Sequence, residues 1–158
     1  MGKPIERLSR WCARVTEILM LVLGILLIVC LLVAVFFRYV VGYALSFPEE
    51  LSMLLFTWIV FLAGSLGVRE SSHVRLTLVL KRLAPAAQKV TTVLITALTI
   101  SFGAVLLYSG KDMVSRTFGS VSATIGYPLS LINSSAIVGG ALIMIHGLSH
   151  LRMPGKED

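Results

Sequence analysis

Two of the three histidines in this sequence have a spacing that could hold a metal ion. His146 and His150 are four residues apart, which would place both imidazoles on one face of a helix. A zinc site needs three or four protein ligands, and only His73 remains. Haem held between two helices would need a second histidine in another apolar segment, and the sequence has none. We therefore expect no metal, no haem and no other cofactor.

The sequence also lacks the patterns of an enzyme active site. No nucleophile has a general base at a recognisable spacing, and no glycine-rich phosphate-binding motif is present. The pair Gly139-Gly140 lies inside an apolar run instead of a loop. We expect no catalytic residues and predict that the chain is not an enzyme.

The elements that carry these residues are predicted to be membrane helices. Of the 158 residues, 56% are hydrophobic and 14% are charged, whereas soluble domains average about 25% charged. Residues 18–37 contain no charged side chain, and about 20 apolar residues in a helix cross a bilayer core. Three similar runs follow. The sequence predicts an all-α integral membrane protein, with one domain over residues 1–158 and transmembrane helices at about 18–37, 51–68, 90–108 and 129–148.

The distribution of lysine and arginine predicts the orientation of the chain. Eleven basic residues lie in the N-terminal flank, the 69–89 connection and the C-terminal flank, against three in the other two connections. Because basic flanks stay in the cytoplasm, both termini should be cytoplasmic. The net charge of +6 then indicates contact with anionic lipid headgroups, not with nucleic acid.

Two flanking segments have the amphipathic pattern of helices that lie on a membrane surface. The first covers residues 5–15, with apolar Ile5, Leu8, Cys12 and Val15 among basic residues. The second covers residues 76–83. We expect cytoplasmic interfacial helices here. Simple extension of helices 1 and 3 is the alternative.

Small residues form stripes on the two later helices. In lipid, close backbone approach drives helix association, so these stripes predict packing faces, either within the chain or towards a partner. They are Thr92, Thr96, Thr99 and Gly103 on helix 3, and Asn133, Ala136, Gly140 and Gly147 on helix 4.

The start of helix 2 has the sequence of a capping box. Ser46 would accept the N–H of Glu49, whose carboxylate would bind the N–H of Ser46 in return. Glu50 lies about 100° further round the helix, so it is available for a cation on another subunit. The alternative is that Glu50 only caps the helix end and is solvated.

The four predicted spans lack the groups that a transport pathway needs. They contain no acid, no base other than His146 and no proline. Since ions and polar solutes require polar groups at membrane depth, the chain should not transport by itself.

The central part of the sequence resembles a known family. The matching pieces are Phe37-Arg38-Tyr39-Val40, Leu45-Ser46 with Glu49-Glu50-Leu51, Phe56 with Trp58, Phe61-Leu62, Val68-Arg69-Glu70 and His73-Val74-Arg75. This stretch resembles the DctQ-like small membrane subunit of tripartite ATP-independent periplasmic (TRAP) transporters. Seven of its polar and aromatic residues are our candidate subunit-interface residues, namely Arg38, Glu49, Glu50, Trp58, Arg69, Glu70 and His73.

The resemblance implies a role and partners. A large membrane subunit would hold the sodium and substrate sites and move by an elevator-like motion, while a periplasmic solute-binding protein would deliver a solute, typically an organic acid. The chain would be a scaffold that anchors the large subunit and helps to dock the binding protein.

Two other classes of membrane protein fit parts of the pattern. A small four-helix drug exporter would need a carboxylate in helix 1, which residues 18–37 lack. A membrane-anchor subunit of a respiratory or other membrane complex would need paired histidines if it bound haem. A haem-free anchor stays as the alternative.

Overall fold

The computed structural model describes the backbone of residues 3–80 and 85–151, and the side chains of residues 8–69, 90–91 and 93–149. The α-helices in this part of the chain are α1 (Lys3–Phe36), α2 (Phe47–Leu80), α3 (Pro85–Arg116) and α4 (Ser130–Leu151). A π-helical turn, Phe37–Val41, continues α1. Each α-helix contains a segment long and apolar enough to cross a membrane, which confirms the predicted all-α fold with four spans.

The helices are longer than the apolar runs that predicted them. Residues 5–15 belong to α1, so extension of the first helix is the correct alternative for that segment. The second amphipathic segment continues α2 as far as Leu80, where we expected a surface helix or an extension of helix 3. No glycine or proline interrupts the chain between Arg69 and Leu80, so nothing ends the helix at the membrane boundary. Residues 81–84 lie outside the described part.

Helix α4 occupies the centre of the arrangement. Among the described residues, α3 and α2 both pack against α4, and α1 packs mainly against α2. A hydrogen bond between Ser9 and His146 brings the start of α1 to the end of α4. We call this the termini end, and we call the opposite end, with the 42–46 and 117–129 connections, the loop end.

The buried face of α1 is the small and polar one. Ser9, Ala13 and Thr16 are buried, while Leu8 and Val15 from the predicted apolar stripe are exposed. In lipid, large apolar side chains lose nothing by facing outwards, whereas small residues allow neighbouring helices to approach closely. The amphipathic pattern was therefore visible in the sequence, but its apolar side does not face the other helices.

Helices α3 and α4 are in backbone contact at two glycines. A Cβ atom added to Gly140 would lie 2.8 Å from the carbonyl oxygen of Gly103 and 3.0 Å from the nitrogen of Leu107. A Cβ atom added to Gly147 would instead meet a side chain, at 3.0 Å from Cγ1 of Ile100. These small residues form a packing face within the chain, as one of the two predicted alternatives proposed. The side chain of Thr92 lies outside the described part.

Candidate subunit-interface site

At the loop end, the π-helical turn carries Arg38 over the start of α2. Gly42 ends this turn with a φ of 75°, a left-handed conformation that glycine adopts without strain. The guanidinium of Arg38 donates to Glu49, with 2.5 Å between Nη2 and Oε1. The two side chains are 54% and 60% exposed, so this ion pair remains accessible at the surface of the described structure.

The predicted capping box is wrong in its use of Glu49. The carboxylate of Glu49 binds Arg38 and not the N–H of Ser46, because a charged guanidinium is a stronger donor than a neutral amide. The first turn of α2 begins instead with a backbone bond of 3.4 Å from the N–H of Glu50 to the carbonyl of Ser46.

The carboxylate of Glu50 is engaged within the chain, contrary to our expectation. It accepts the backbone N–H of Thr124 at 3.0 Å through Oε1 and that of Ile125 at 3.1 Å through Oε2. Two adjacent N–H groups of a turn form a small concave site that suits an anion. Glu50 therefore fastens the 117–129 connection to the first turn of α2.

The 117–129 connection has internal bonds that give it a defined shape. Ser122 N–H donates to the carbonyl of Tyr127, and Leu129 N–H donates to the carbonyl of Ser120, both at 2.9 Å. Burial, and after it the negative charge of Glu50, raise the pKa of Tyr127. The phenol of Tyr127 therefore stays neutral at physiological pH and adds no second negative charge beside Glu50.

The side chain of Trp58 joins α2 to α4 within the chain. Its indole Nε1–H donates to the carbonyl of Leu131 at 3.2 Å. Nearby, the amide of Asn133 donates to the hydroxyl of Thr117 at 3.0 Å. The first turn of α4 is thus attached to both α2 and the end of α3.

At the termini end, Arg69 and His146 join α1 to its neighbours. Arg69 lies 3.8 Å from Glu17, measured from Nη1 to Oε1. The fully buried His146 shares a 2.8 Å hydrogen bond with Ser9. Among the described residues, no group of three possible ligands could hold a metal ion.

The seven candidate residues do not form one site. Arg38, Glu49, Glu50 and Trp58 lie towards the loop end, and Arg69 lies near the termini end. Glu70 and His73 lie in α2, but their side chains are outside the described part of the structure. The 117–129 connection, which binds Glu50, was not predicted from the sequence. A partner that contributes only backbone N–H groups leaves no side-chain signal in the sequence.

Comparison with known proteins gives the affiliation of this chain. The family model described as "Tripartite ATP-independent periplasmic transporters, DctQ component" matches residues 27–153. A Haemophilus influenzae protein named "Putative TRAP transporter small permease protein" is 25% identical over 143 residues, which cover 88% of this chain and 86% of that protein. The family match covers most of the chain and includes all seven candidate residues. The chain therefore belongs to the DctQ-component family of tripartite ATP-independent periplasmic transporters.

Proposed function

We propose that the chain is the small membrane subunit of a TRAP transporter. The observation that carries this proposal is the family match over residues 27–153, which includes all or part of the four apolar helices. The relative in H. influenzae carries the name of a TRAP small permease and aligns over most of both chains. The family and the four apolar helices together make the chain a multi-pass inner-membrane protein.

In this proposal, the chain acts as a scaffold and the chemistry of transport lies elsewhere. A large membrane subunit holds the sodium and solute sites, and a periplasmic solute-binding protein delivers an organic acid. Two features of this chain support the division of roles. Its predicted spans contain no acid, and their one base, His146, is buried against Ser9 between α1 and α4.

The loop end faces the periplasm in this proposal, and both termini are cytoplasmic. The support is the distribution of eleven basic flanking residues on one side against three on the other. With this orientation, the Arg38–Glu49 pair and the 117–129 connection lie on the side where a periplasmic binding protein can reach them.

The candidate residues take different roles in the proposed complex. Arg38 and Glu49 are exposed and can contact a partner directly. Glu50 and Trp58 support the surface through their bonds to the 117–129 connection and to α4. We propose that Arg69, with Glu70 and His73, contacts the large subunit at the cytoplasmic side.

Reconstitution tests the proposed function. Liposomes containing this chain alone, with a sodium gradient and a solute-loaded binding protein, should show no uptake, and adding the large subunit should restore it. Co-purification of this chain with the large subunit is measured in parallel. Uptake by this chain without a second membrane subunit would contradict the scaffold role, and co-purification with a redox enzyme would favour a membrane-anchor role.

A further inference from the structure

At the termini end, the outer face of α1 carries a tryptophan and an arginine just before the apolar run. At about 100° per residue, Trp11, Arg14 and Ile18 point in similar directions, roughly opposite to the buried side of the helix. Trp11 and Ile18 are each 66% exposed, and Arg14 is exposed as well. The residues on the buried side are Ser9, Ala13 and Thr16.

Arg14 lies at the depth of the lipid headgroups. Residues 18–37 carry no charged side chain and are about 30 Å long, which matches the hydrocarbon core. Arg14 precedes Ile18 by one turn, or about 6 Å, and the headgroup layer on each side of the core is about 5–7 Å thick. Because helical side chains incline towards the N-terminus, the guanidinium of Arg14 points away from the core. It is therefore placed among the phosphate groups.

The donor groups of Arg14 and Trp11 are not used within the described part of the chain. No ion pair or hydrogen bond in that part involves either side chain, whereas three other arginines each pair with a carboxylate. The acid closest to Arg14 in the sequence is Glu17, and Glu17 is held by Arg69. A guanidinium and an indole N–H, three residues apart on one outward face, are thus available to an external acceptor.

We propose that Arg14 and Trp11 bind the phosphate of an anionic phospholipid, which lies in the cytoplasmic leaflet in the proposed orientation. Arginine binds phosphate through parallel charge-assisted hydrogen bonds, and tryptophan is enriched at the membrane interface. The exposed Ile18 and Leu21 continue the same face into the core and contact the acyl chains. Residues 1–17 contain four basic and two acidic residues, so the headgroup should be anionic and carry no cation of its own. The site is complete within this chain and needs no residue of the large subunit.

Native mass spectrometry of the full chain in detergent tests the site. Phosphatidylglycerol, which is anionic, and phosphatidylcholine, which is zwitterionic, are titrated separately, and the affinity of the first bound lipid is measured. The chain should bind phosphatidylglycerol more tightly. Arg14→Gln should weaken that binding about fivefold, the contribution of one arginine near an anionic surface, and should leave phosphatidylcholine binding unchanged. Arg14→Lys keeps the charge and should retain most of the preference.

The matched control is Arg116→Gln at the loop end. It removes the same charge, but Arg116 is already paired with Asp112, so the affinity for phosphatidylglycerol should not change. An equal loss in both glutamine variants would assign the preference to net charge and overturn the proposal, as would equal binding of the two lipids by the unaltered chain. Glycerol phosphate, which lacks acyl chains, should not displace the lipid. Displacement would indicate a site for free phosphate instead.

Photo-crosslinking shows where the lipid lies, in bilayers of phosphatidylcholine with a trace of phosphatidylglycerol whose acyl chain carries a photoreactive group. Attachment at residues 18–22 should fall in Arg14→Gln, while attachment around the exposed Phe102 of α3 should not change. Trp11→Phe should lower attachment at 18–22 by about two- to tenfold, the range of one hydrogen bond. Unchanged attachment at 18–22 in Arg14→Gln would contradict the proposal. Neither experiment contains the large subunit, so both results are independent of the proposed function.

Discussion

Gly140→Ala should destabilise the chain, because α3 leaves no space for a methyl group at that position. The added carbon would lie 2.8 Å from the carbonyl oxygen of Gly103 and 3.0 Å from the nitrogen of Leu107. Both atoms are backbone, so a rotamer change cannot remove the clash, and α3 must move away from α4. Overpacking of this kind costs about 1–3 kcal/mol. Since about 1.4 kcal/mol is a factor of ten, the folding equilibrium constant should fall by roughly 5- to 150-fold.

The matched control is Gly64→Ala in α2. A Cβ atom at Gly64 would meet nothing within 4 Å, so this variant changes helix propensity without changing packing. Both variants are unfolded by titrating SDS into mixed micelles, and the difference in their free energies of unfolding isolates the packing cost at Gly140. Equal stability of the two variants would refute the backbone contact between α3 and α4.

Three further predictions concern the two ends of the molecule. Trp58→Phe removes the indole donor to α4 but keeps an aromatic ring, so unfolding in the same SDS titration should show a loss of about 0.5–1.5 kcal/mol. Glu50→Gln removes a charged acceptor from two backbone N–H groups, so hydrogen exchange at Thr124 should accelerate, while Glu49→Gln should leave that exchange unchanged. If the termini are cytoplasmic, a cysteine at Leu80 should resist impermeant maleimide in intact cells, and labelling there would reverse the topology.

The four spans could be predicted from the sequence because hydrocarbon tolerates no charged helix surface. Runs such as residues 18–37 are long enough to cross the core and contain no charge, so their existence does not depend on tertiary packing. The glycine contacts between α3 and α4 are also a consequence of the lipid environment. Without water to drive large apolar residues inwards, the smallest residues mark where helices meet. The two predicted stripes, one with Gly103 and the other with Gly140, therefore indicated where α3 and α4 meet.

The ends of the helices could not be predicted in the same way. Beyond the bilayer, an amphipathic segment can lie on the surface or continue the helix, and the sequence pattern is the same for both. Residues 76–80 continue α2, although the sequence suggested a surface helix or the start of helix 3. Helix α2 continues because no helix-breaking residue follows Arg69. A helix-breaking residue acts locally, so the periodic pattern of apolar residues carries no information about it.

The partners of the two acids at the start of α2 depend on long-range geometry. Arg38 binds Glu49 from a π-helical turn that follows α1, and the apolar pattern of α1 does not predict such a turn. Glu50 binds the backbone N–H groups of Thr124 and Ile125, which are 74 and 75 positions away in the sequence. Any residue type except proline could supply such groups. The capping rule identified the correct place on the helix but assigned Glu49 to the wrong partner, and Glu50 is bound within the chain where a cation on another subunit was expected.

The contacts of Glu49 and Glu50 connect the first turn of α2 to two other segments of the loop end. Glu49 holds the π-helical turn Phe37–Val41 through Arg38, and Glu50 holds the 117–129 connection through its backbone. The two acids are adjacent in sequence but point about 100° apart on the helix. Each can therefore bind its own segment without blocking the contact of the other acid. The exposed ion pair alone should add little stability, since such pairs contribute about 0–1 kcal/mol. The physical role of Glu49 is then positional, because its bond to Arg38 fixes the π-helical turn at the end of α1 relative to the first turn of α2.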